Sequence, residues 1–417
     1  MKTVKRRWRN VMAFLAIMGP GLITANVDND AGGIATYSVA GAHFGYSFLW
    51  VLLPVTLALI VIQEMAARMG AVTRKGLADL IRENYGVRLT VWILLGLLFT
   101  NLANIMAEFA GIAASAEILG LSRYVAVPLG ALGVWWLVVK GNYQRVERVF
   151  LLGCVFYVSY LISVFLARPH WGEVAFHAFH PTLEFNPVYL AMLIGVVGTT
   201  IAPWMQFYQQ ASVVDKGITE KEYSYERIDV IVGCFVAVIV AAAILIACGA
   251  TLYPEGVRIE DAADAARALQ PLAGRYCALL FAFGLLNASL FAAAVLPLST
   301  SYYICEALGF EVGVDRDWNE APVFLGLYTI LIGLGAGAIL LPNVPLVQIM
   351  LASQVINGLL LPIVLILMLL LVNQKRLMGP YTNSRPFNVI AWTTTVIMIV
   401  LSLLLGLTAL FPQAIGS

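Results

Sequence analysis

Charged residues are scarce in this sequence: Lys, Arg, Asp and Glu together make up 12% of its 417 residues. A typical soluble domain carries about 25% charged residues, because water must solvate its surface. Hydrophobic residues account for 61% of the chain. The composition therefore excludes an ordinary soluble protein and indicates a chain that lies in a lipid bilayer.

Cysteine and histidine are also scarce. The five cysteines are scattered without a close-spaced pair, which argues against a disulfide framework or a thiolate metal cluster. The four histidines fall in predicted outer loops, as surface residues or, alternatively, an external metal-capture site: His43, His170, His177 and His180. No phosphate loop, metal-hydrolase motif or catalytic triad is visible, so we predict neither an enzyme nor a bound cofactor.

What the sequence does contain is a series of long apolar stretches. About 20 apolar residues are needed for one helix to cross the core of a bilayer. Eleven stretches qualify, and the short connections between them predict one compact, all-α integral membrane domain without nucleic-acid or obligatory protein partners. They cover approximately 11–42, 46–69, 90–118, 122–139, 147–167, 187–213, 228–252, 273–304, 322–342, 345–372 and 386–411.

The positive charges predict how the chain is oriented in the plasma membrane. Loops on the cytoplasmic side carry an excess of Lys and Arg. With the N-terminus inside, 20 of the 25 Lys and Arg residues fall on the cytoplasmic side. Five fall outside: Arg123, Arg168, Arg258, Arg267 and Arg275. Eleven spans then place the C-terminus outside, and Glu64 and Asp229, near span ends, are expected at the lipid headgroups.

Two of the stretches are interrupted. The first contains NVDNDAGGI (26–34), with two carboxylates and two glycines, and the sixth contains GTTIAPWMQ (198–206), in which Pro203 disfavours helix. One break lies in the first five stretches and the other at the matching place in the next five. Paired breaks of this kind predict inverted repeats around a binding site at the midplane. We place the repeats at about 11–167 and 187–372, followed by an extra helix at about 386–411.

The chemistry of the two breaks favours a cation. Non-helical backbone at membrane depth is tolerated where it faces protein or a wet cavity, and there its carbonyls are free to bind an ion. The half-helix before each break also points its negative end at the gap. Asp30 adds a full negative charge, which is costly inside a membrane and is a functional site by default.

At this point the sequence resembles the NRAMP divalent-metal transporters over most of its length. The resemblance implies a LeuT-like fold, with two five-helix inverted repeats, unwound helices 1 and 6, and one extra helix. Four segments in matching order carry it: GPGLITANVDNDAGGIATYSVAGA (19–42), AEFAG (107–111), IAPWMQFYQQ (201–210) and SQVINGLLLP (353–362).

The resemblance implies a set of site residues. Asp30 matches the metal-binding aspartate of the family, whereas Gly33 stands in place of its asparagine and Ala202 in place of its methionine. Gln354 matches the binding-site glutamine. Thr199 and Val27 are expected to offer oxygens from the two breaks. The alternative for Asp30 is a helix-capping carboxylate, and the alternative for Gln354 is a hydrogen bond between helices.

Three further residues are assigned near the site. Asp28 is expected in a second shell, or as the ligand itself if the alignment shifts by two residues. Trp204 replaces the family histidine after the sixth-helix proline. Glu108 is interpreted as a structural or cavity-lining acid, with a proton carrier as the alternative, and Ile105 replaces the aspartate that accompanies it in the family.

These departures predict the transported ion. Loss of the sulfur and amide ligands favours a hard, partly hydrated ion, so we expect Mg²⁺, and also Mn²⁺, moved by alternating access as in the NRAMP-related magnesium branch. Because Trp204 and Ile105 cannot relay protons as the family's histidine and aspartate do, we expect no proton coupling. One alternative is a proton-coupled Mn²⁺/Fe²⁺ importer. A second, of another class, is an amino-acid transporter on the same scaffold.

Overall fold

The computed structural model describes residues 27–140, 157–260, 262–267 and 274–410. Within these residues every regular element is a helix. The helices are α1 Ala31–Phe44, α2 Leu49–Thr73, α3 Leu77–Tyr85, α4 Val87–Ile118, α5 Arg123–Lys140, α6 Tyr157–Leu166, α7 Trp171–Phe179, α8 Pro187–Thr200, α9 Pro203–Asp215, α10 Tyr223–Thr251, α11 Ala262–Ala266, α12 Cys277–Leu308, α13 Pro322–Ile339, α14 Leu346–Val372, α15 Lys375–Met378 and α16 Arg385–Leu410. Short 3₁₀ turns occupy Gly274–Tyr276 and Gly379–Tyr381.

The long apolar helices agree with the predicted stretches. In the described part of the chain nine spans are long and apolar enough to cross a membrane, with α8 and α9 counted as one. They correspond to nine of the eleven predicted stretches. The first and fifth stretches lie partly outside the described residues and are represented by α1 and α6, so the total of eleven stays a prediction.

The bundle is organised around α4, α12 and α14. The two 32-residue helices α4 and α12 pack along each other, and α14 packs against both α4 and α8. Helix α1 packs against α10. By contrast, α5 and α16 lie at the periphery and expose large apolar side chains such as Leu129 and Leu403, as expected for helices that face lipid.

Glycines allow two of the helix crossings to be very close. A Cβ atom at Gly198 of α8 would collide with the carbonyl oxygen of Gln354 and the backbone of Gly358 on α14. A Cβ at Gly41 of α1 would lie 2.9 Å from Cys248 Cβ on α10. Small residues permit backbones to approach in this way inside membranes. The crossing at Gly198 fixes α14 beside the end of α8.

Some expectations about charged and polar residues were wrong. Glu64 and Asp229 do not face the headgroups, since both side chains are buried. Glu64 forms an ion pair of 3.2 Å with Arg68 one turn away, which explains how a carboxylate is accommodated there. His43 and His177 also lie in helices, at the end of α1 and within α7, rather than in loops.

Candidate metal-binding site

The predicted interruption of the first stretch is present. Val27 is the last helical residue before it, and the next three residues, 28–30, are not helical. Asp30 has an extended backbone and caps α1, with its Oδ1 accepting a 2.7 Å hydrogen bond from the backbone N–H of Gly33. Asp30 therefore caps α1, as the sequence allowed, and this hydrogen bond holds its carboxylate at the break.

A second acid reaches the same helix end from α4. Glu108 is fully buried, and its Oε2 accepts a 3.2 Å hydrogen bond from the backbone N–H of Ala31. Asp30 and Glu108 thus both bind the first turn of α1, so their carboxyl groups lie close to each other. The positive end of α1 stabilises this concentration of acid.

The second interruption separates α8 from α9. Helix α8 ends at Thr200, and Ala202 precedes α9 with an extended backbone. Pro203 follows at the first position of α9, where its fixed φ is favourable. Because proline has no N–H, the carbonyl of Thr199, four residues earlier, loses the hydrogen bond that a continuous helix would give it.

Oxygen atoms from both breaks converge on Gly33. A Cβ atom at this position would lie 2.6 Å from the carbonyl oxygen of Asp28, 3.2 Å from Thr199 Oγ1 and 3.5 Å from Asp30 Oδ1. A carbonyl, a hydroxyl and a carboxylate thus surround one point beside Gly33, where a Cβ atom would force the Asp28 carbonyl to move. Oxygen donors of these three kinds are the ligands that hard cations prefer.

Gln354 closes the site from α14. Its side chain is buried and packs directly over Gly32, leaving no room for a Cβ there. Its Nε2 donates a 3.1 Å hydrogen bond to Ser353 Oγ, and its Oε1 accepts one of 2.8 Å from Asn357 Nδ2. The site is therefore bounded by α1, α4, α8 and α14.

Several buried oxygens around this point find no hydrogen-bond partner among the described residues. They are both carboxylate oxygens of Asp28, Thr199 Oγ1, Glu108 Oε1 and Ser289 Oγ. Buried polar groups without partners are costly, and a cluster of them indicates a place for ions or water. No three His, Cys, Asp or Glu side chains of the described chain group as a metal cluster, so backbone and hydroxyl oxygens must contribute.

Three predicted residues are less closely tied to this point. Val27 is buried and directly precedes the first break. The Ala202 carbonyl already accepts a 3.1 Å hydrogen bond from the N–H of Met205. The Trp204 ring packs on Tyr208, with 6.2 Å between ring centroids. The methyl side chain of Ala202 has no atom that could bind a metal ion.

The surroundings of Glu108 on α4 are apolar on one side. Ile105 is fully buried and packs against α13, where a Cβ at Gly335 would meet its Cγ2 at 2.5 Å. Helix α13 contains no Lys or Arg. On the side that faces α13, Glu108 therefore has no carboxylate neighbour at position 105 and no Lys or Arg neighbour from α13.

Two asparagines of α4 that the sequence interpretation did not assign form an amide cluster beside the site. Asn104 Nδ2 donates to Asn101 Oδ1 and to Asn357 Oδ1 on α14, and all three side chains are buried. Their signal was present in the sequence as polar residues at 101, 104 and 108, spaced three and four apart on one face of a membrane helix.

Two interrupted helices that meet around buried acids, within a bundle of membrane-spanning helices, define a multi-pass membrane transport protein. The model of the Nramp family, described as natural resistance-associated macrophage protein-like, matches residues 21–408. The chain belongs to this family.

Similar proteins extend over nearly the full chain. A protein of Ralstonia nicotianae named "Divalent metal cation transporter MntH" is 30% identical over 406 residues, covering 92% of this chain and 88% of that protein. Its namesake in Deinococcus radiodurans is 29% identical over 413 residues, covering 94% and 90%.

Solved structures show the same fold. A point mutant of the Eremococcus coleocola manganese transporter has a TM-score of 0.75 at 21% identity, covering 97% of this chain and 89% of that one. The LeuT-like neighbour MhsT, solved in complex with L-phenylalanine, has a TM-score of 0.59 at 16% identity, covering 93% and 98%.

Proposed function

We propose that this protein is a secondary transporter for divalent cations that moves Mg²⁺, and also Mn²⁺, by alternating access without proton coupling. The ion binds between the two breaks, with Asp30 as its charged ligand. Thr199, Gln354 and backbone carbonyls near Val27 and Asp28 complete an oxygen environment. The names of its relatives support divalent metal transport, and the choice of ion comes from the site itself.

The oxygens gathered at Gly33 carry the proposal on the ion. Oxygens of Asp28, Thr199 and Asp30 lie within 3.5 Å of the position that a Cβ atom would take there. Mg²⁺ gives up its water reluctantly and is usually held by one or two carboxylates and several waters. Gly33 and Ala202 bring no ligand side chain that would replace those waters, and the buried unpartnered oxygens of Asp28 and Thr199 can accept hydrogen bonds from them.

The surroundings of Glu108 support transport without protons. Ile105 packs on α13 where a second acid would be needed, and the Trp204 indole is held against Tyr208. Neither side chain exchanges a proton at physiological pH. Membrane voltage is a sufficient driving force, since moving a dication through 100 mV yields about 4.6 kcal/mol, or roughly a thousandfold gradient. An inside-negative voltage drives the cation inward.

One observation favours a second candidate, a proton-coupled Mn²⁺ importer. Glu108 lies at the start of α1, where its Oε2 accepts a hydrogen bond from the N–H of Ala31, next to the proposed ligand Asp30. In a coupled transporter this second acid would carry the proton. Our proposal instead gives Glu108 a structural role.

The test is uptake into proteoliposomes at a set potassium-diffusion voltage, with a pH dye trapped inside. We expect internal Mg²⁺ to rise with inside-negative voltage while the internal pH stays constant, and amino acids to have no effect. Acidification in proportion to metal uptake would establish the proton-coupled alternative. Uptake of Mn²⁺ without Mg²⁺ would contradict the choice of ion.

Substitution at Ala202 tests the role of the absent sulfur. We expect Ala202→Met to raise the ratio of Mn²⁺ to Mg²⁺ uptake about tenfold, because thioether sulfur suits softer ions and the longer side chain displaces water. Ala202→Leu is the matched control, with similar bulk and no sulfur. An equal change of the ratio in both variants would assign the effect to volume alone.

A further inference from the structure

The orientation of the Gln354 amide is opposite to the one that a cation ligand needs. Only the Oε1 atom of a glutamine side chain can bind a cation, since Nε2 is solely a donor. In the structure Nε2 is the side-chain atom nearest to Gly32 on α1, and Oε1 points to Asn357. To bind an ion beside α1, the amide must turn and break its bond with Asn357.

Asn357 is well placed to hold this orientation. Its Nδ2 donates both hydrogens, at 2.8 Å to Gln354 Oε1 and at 3.0 Å to Asn104 Oδ1. Asn104 Nδ2 donates in return to Asn357 Oδ1 at 2.9 Å. A turned Gln354 would bring its own NH₂ group against that of Asn357, two donors without an acceptor. The pair therefore favours one amide orientation over the other.

The pair is anchored to the rigid part of the bundle. Asn104 accompanies Asn101 on α4, and Asn101 Nδ2 donates to the Leu296 carbonyl and to Thr300 Oγ1 on α12, at 3.0 and 2.6 Å. Asn104 lies one turn before Glu108 on the same helix. All of these side chains are buried, where hydrogen bonds are strong and their loss is costly.

We propose that Asn357 is a positioning residue that, together with Asn104, withholds the Gln354 carbonyl from the ion and releases it when a cation binds. We call Gln354, Asn357 and Asn104 the amide latch. The proposal rests on the proposed function, because it takes Gln354 as an ion ligand. It adds that affinity is limited by a hydrogen bond within α14 which must break on binding.

The experiment is a double-mutant cycle between positions 357 and 354, read as the half-saturating Mg²⁺ and Mn²⁺ concentrations and the maximal rates of proteoliposome uptake. We expect Asn357→Ala to lower the half-saturating concentration about threefold to tenfold, the equivalent of one buried hydrogen bond. Gln354→Ala should raise it. In the Gln354→Ala background, Asn357→Ala should have no effect on it.

Asn101→Ala is the matched control. It removes a buried asparagine of the same cluster but leaves the bond between Asn357 and Gln354 intact, so the half-saturating concentration should not change. Because Asn357→Ala removes the donor to Asn104 Oδ1, the double variant Asn104→Leu/Asn357→Leu replaces both partners by apolar groups of similar size and should also lower it. Thermal unfolding in detergent checks that each variant is folded.

Two results would overturn the latch. A higher half-saturating concentration in Asn357→Ala would mean that Asn357 presents the carbonyl rather than withholding it. Equal effects of Asn357→Ala with and without Gln354 would assign it a purely structural role. A wrong choice of transported ion can be told apart from a wrong latch. If the protein took up Mn²⁺ and not Mg²⁺, the double-mutant cycle could still be measured with Mn²⁺.

Discussion

The two breaks differ in how they are built. The first, at residues 28–30, is rich in charge and closed by side chains, since Asp30 and Glu108 each accept a hydrogen bond from the start of α1. The second, at Ile201 and Ala202, contains no charged residue and lacks a side-chain cap among the described residues. The difference indicates a division of labour, in which the first break supplies negative charge and the second supplies uncharged backbone oxygen.

The largest expected effect separates charge from capping at Asp30. Asparagine caps a helix about as well as aspartate does but carries no charge. We therefore expect Asp30→Asn to lower uptake of Mg²⁺ and Mn²⁺ about 100-fold or more, with little change in the thermal unfolding temperature. Uptake is measured in proteoliposomes and unfolding in detergent.

Asp30→Ala is the companion variant. It removes the cap as well as the charge, which should cost about 1 kcal/mol of stability in addition. Wild-type uptake in Asp30→Asn would show that the carboxylate serves only to begin α1. The first break would then resemble the second, and the proposed division of labour would be lost.

A medium effect is expected at Gly33, where the two breaks meet. An asparagine side chain there would occupy the space among the oxygens of Asp28, Thr199 and Asp30, and its Cβ would force the Asp28 carbonyl to move. We expect Gly33→Asn to lower Mg²⁺ uptake about tenfold and Mn²⁺ uptake less, because the added amide replaces water that Mg²⁺ retains.

Gly33→Ala provides the control for volume. It adds the Cβ without an amide oxygen, so it should impair both ions to a similar extent. If Gly33→Asn changed the uptake of both ions by the same factor as Gly33→Ala, space for water would not explain the choice of ion.

The smallest effect is expected where one hydrogen bond joins the two breaks. Tyr37 OH on α1 and Thr200 Oγ1 at the end of α8 are 2.7 Å apart. Tyr37→Phe should lower the free energy of unfolding by about 1 kcal/mol, the typical value for one buried hydrogen bond. Uptake should change less than threefold, as no proposed ligand is removed. A loss comparable to that of Asp30→Asn would place Tyr37 in the transport mechanism itself.

The breaks themselves could be predicted from the sequence. Asp28, Asn29 and Asp30 form a polar group inside an apolar stretch, and Pro203 removes a helix hydrogen bond in another. Both signals are local, so they act wherever the helix is placed. The structure shows an interruption at each position, as predicted.

The partners of these residues could not be predicted in the same way. Glu64 and Asp229 lie near span ends, and the sequence therefore favoured the headgroup region, yet neighbouring helices bury both. The spacing of polar residues in the sequence indicated a polar face on α4. Asn357, which hydrogen-bonds to Asn104 on that face, is 253 residues away along the chain. A contact over such a separation depends on how whole helices pack.

The sequence by itself determined that the chain lies in a membrane, where its helices are interrupted and that Asp30 supplies charge at a break, because hydropathy, capping and proline act within a few residues. Only the tertiary structure decided that Thr199 approaches Gly33, that Glu108 reaches the start of α1 and that the oxygen of Gln354 turns toward Asn357. Those contacts exist because glycines such as Gly198 let helices approach closely, and close approach is a property of two surfaces together.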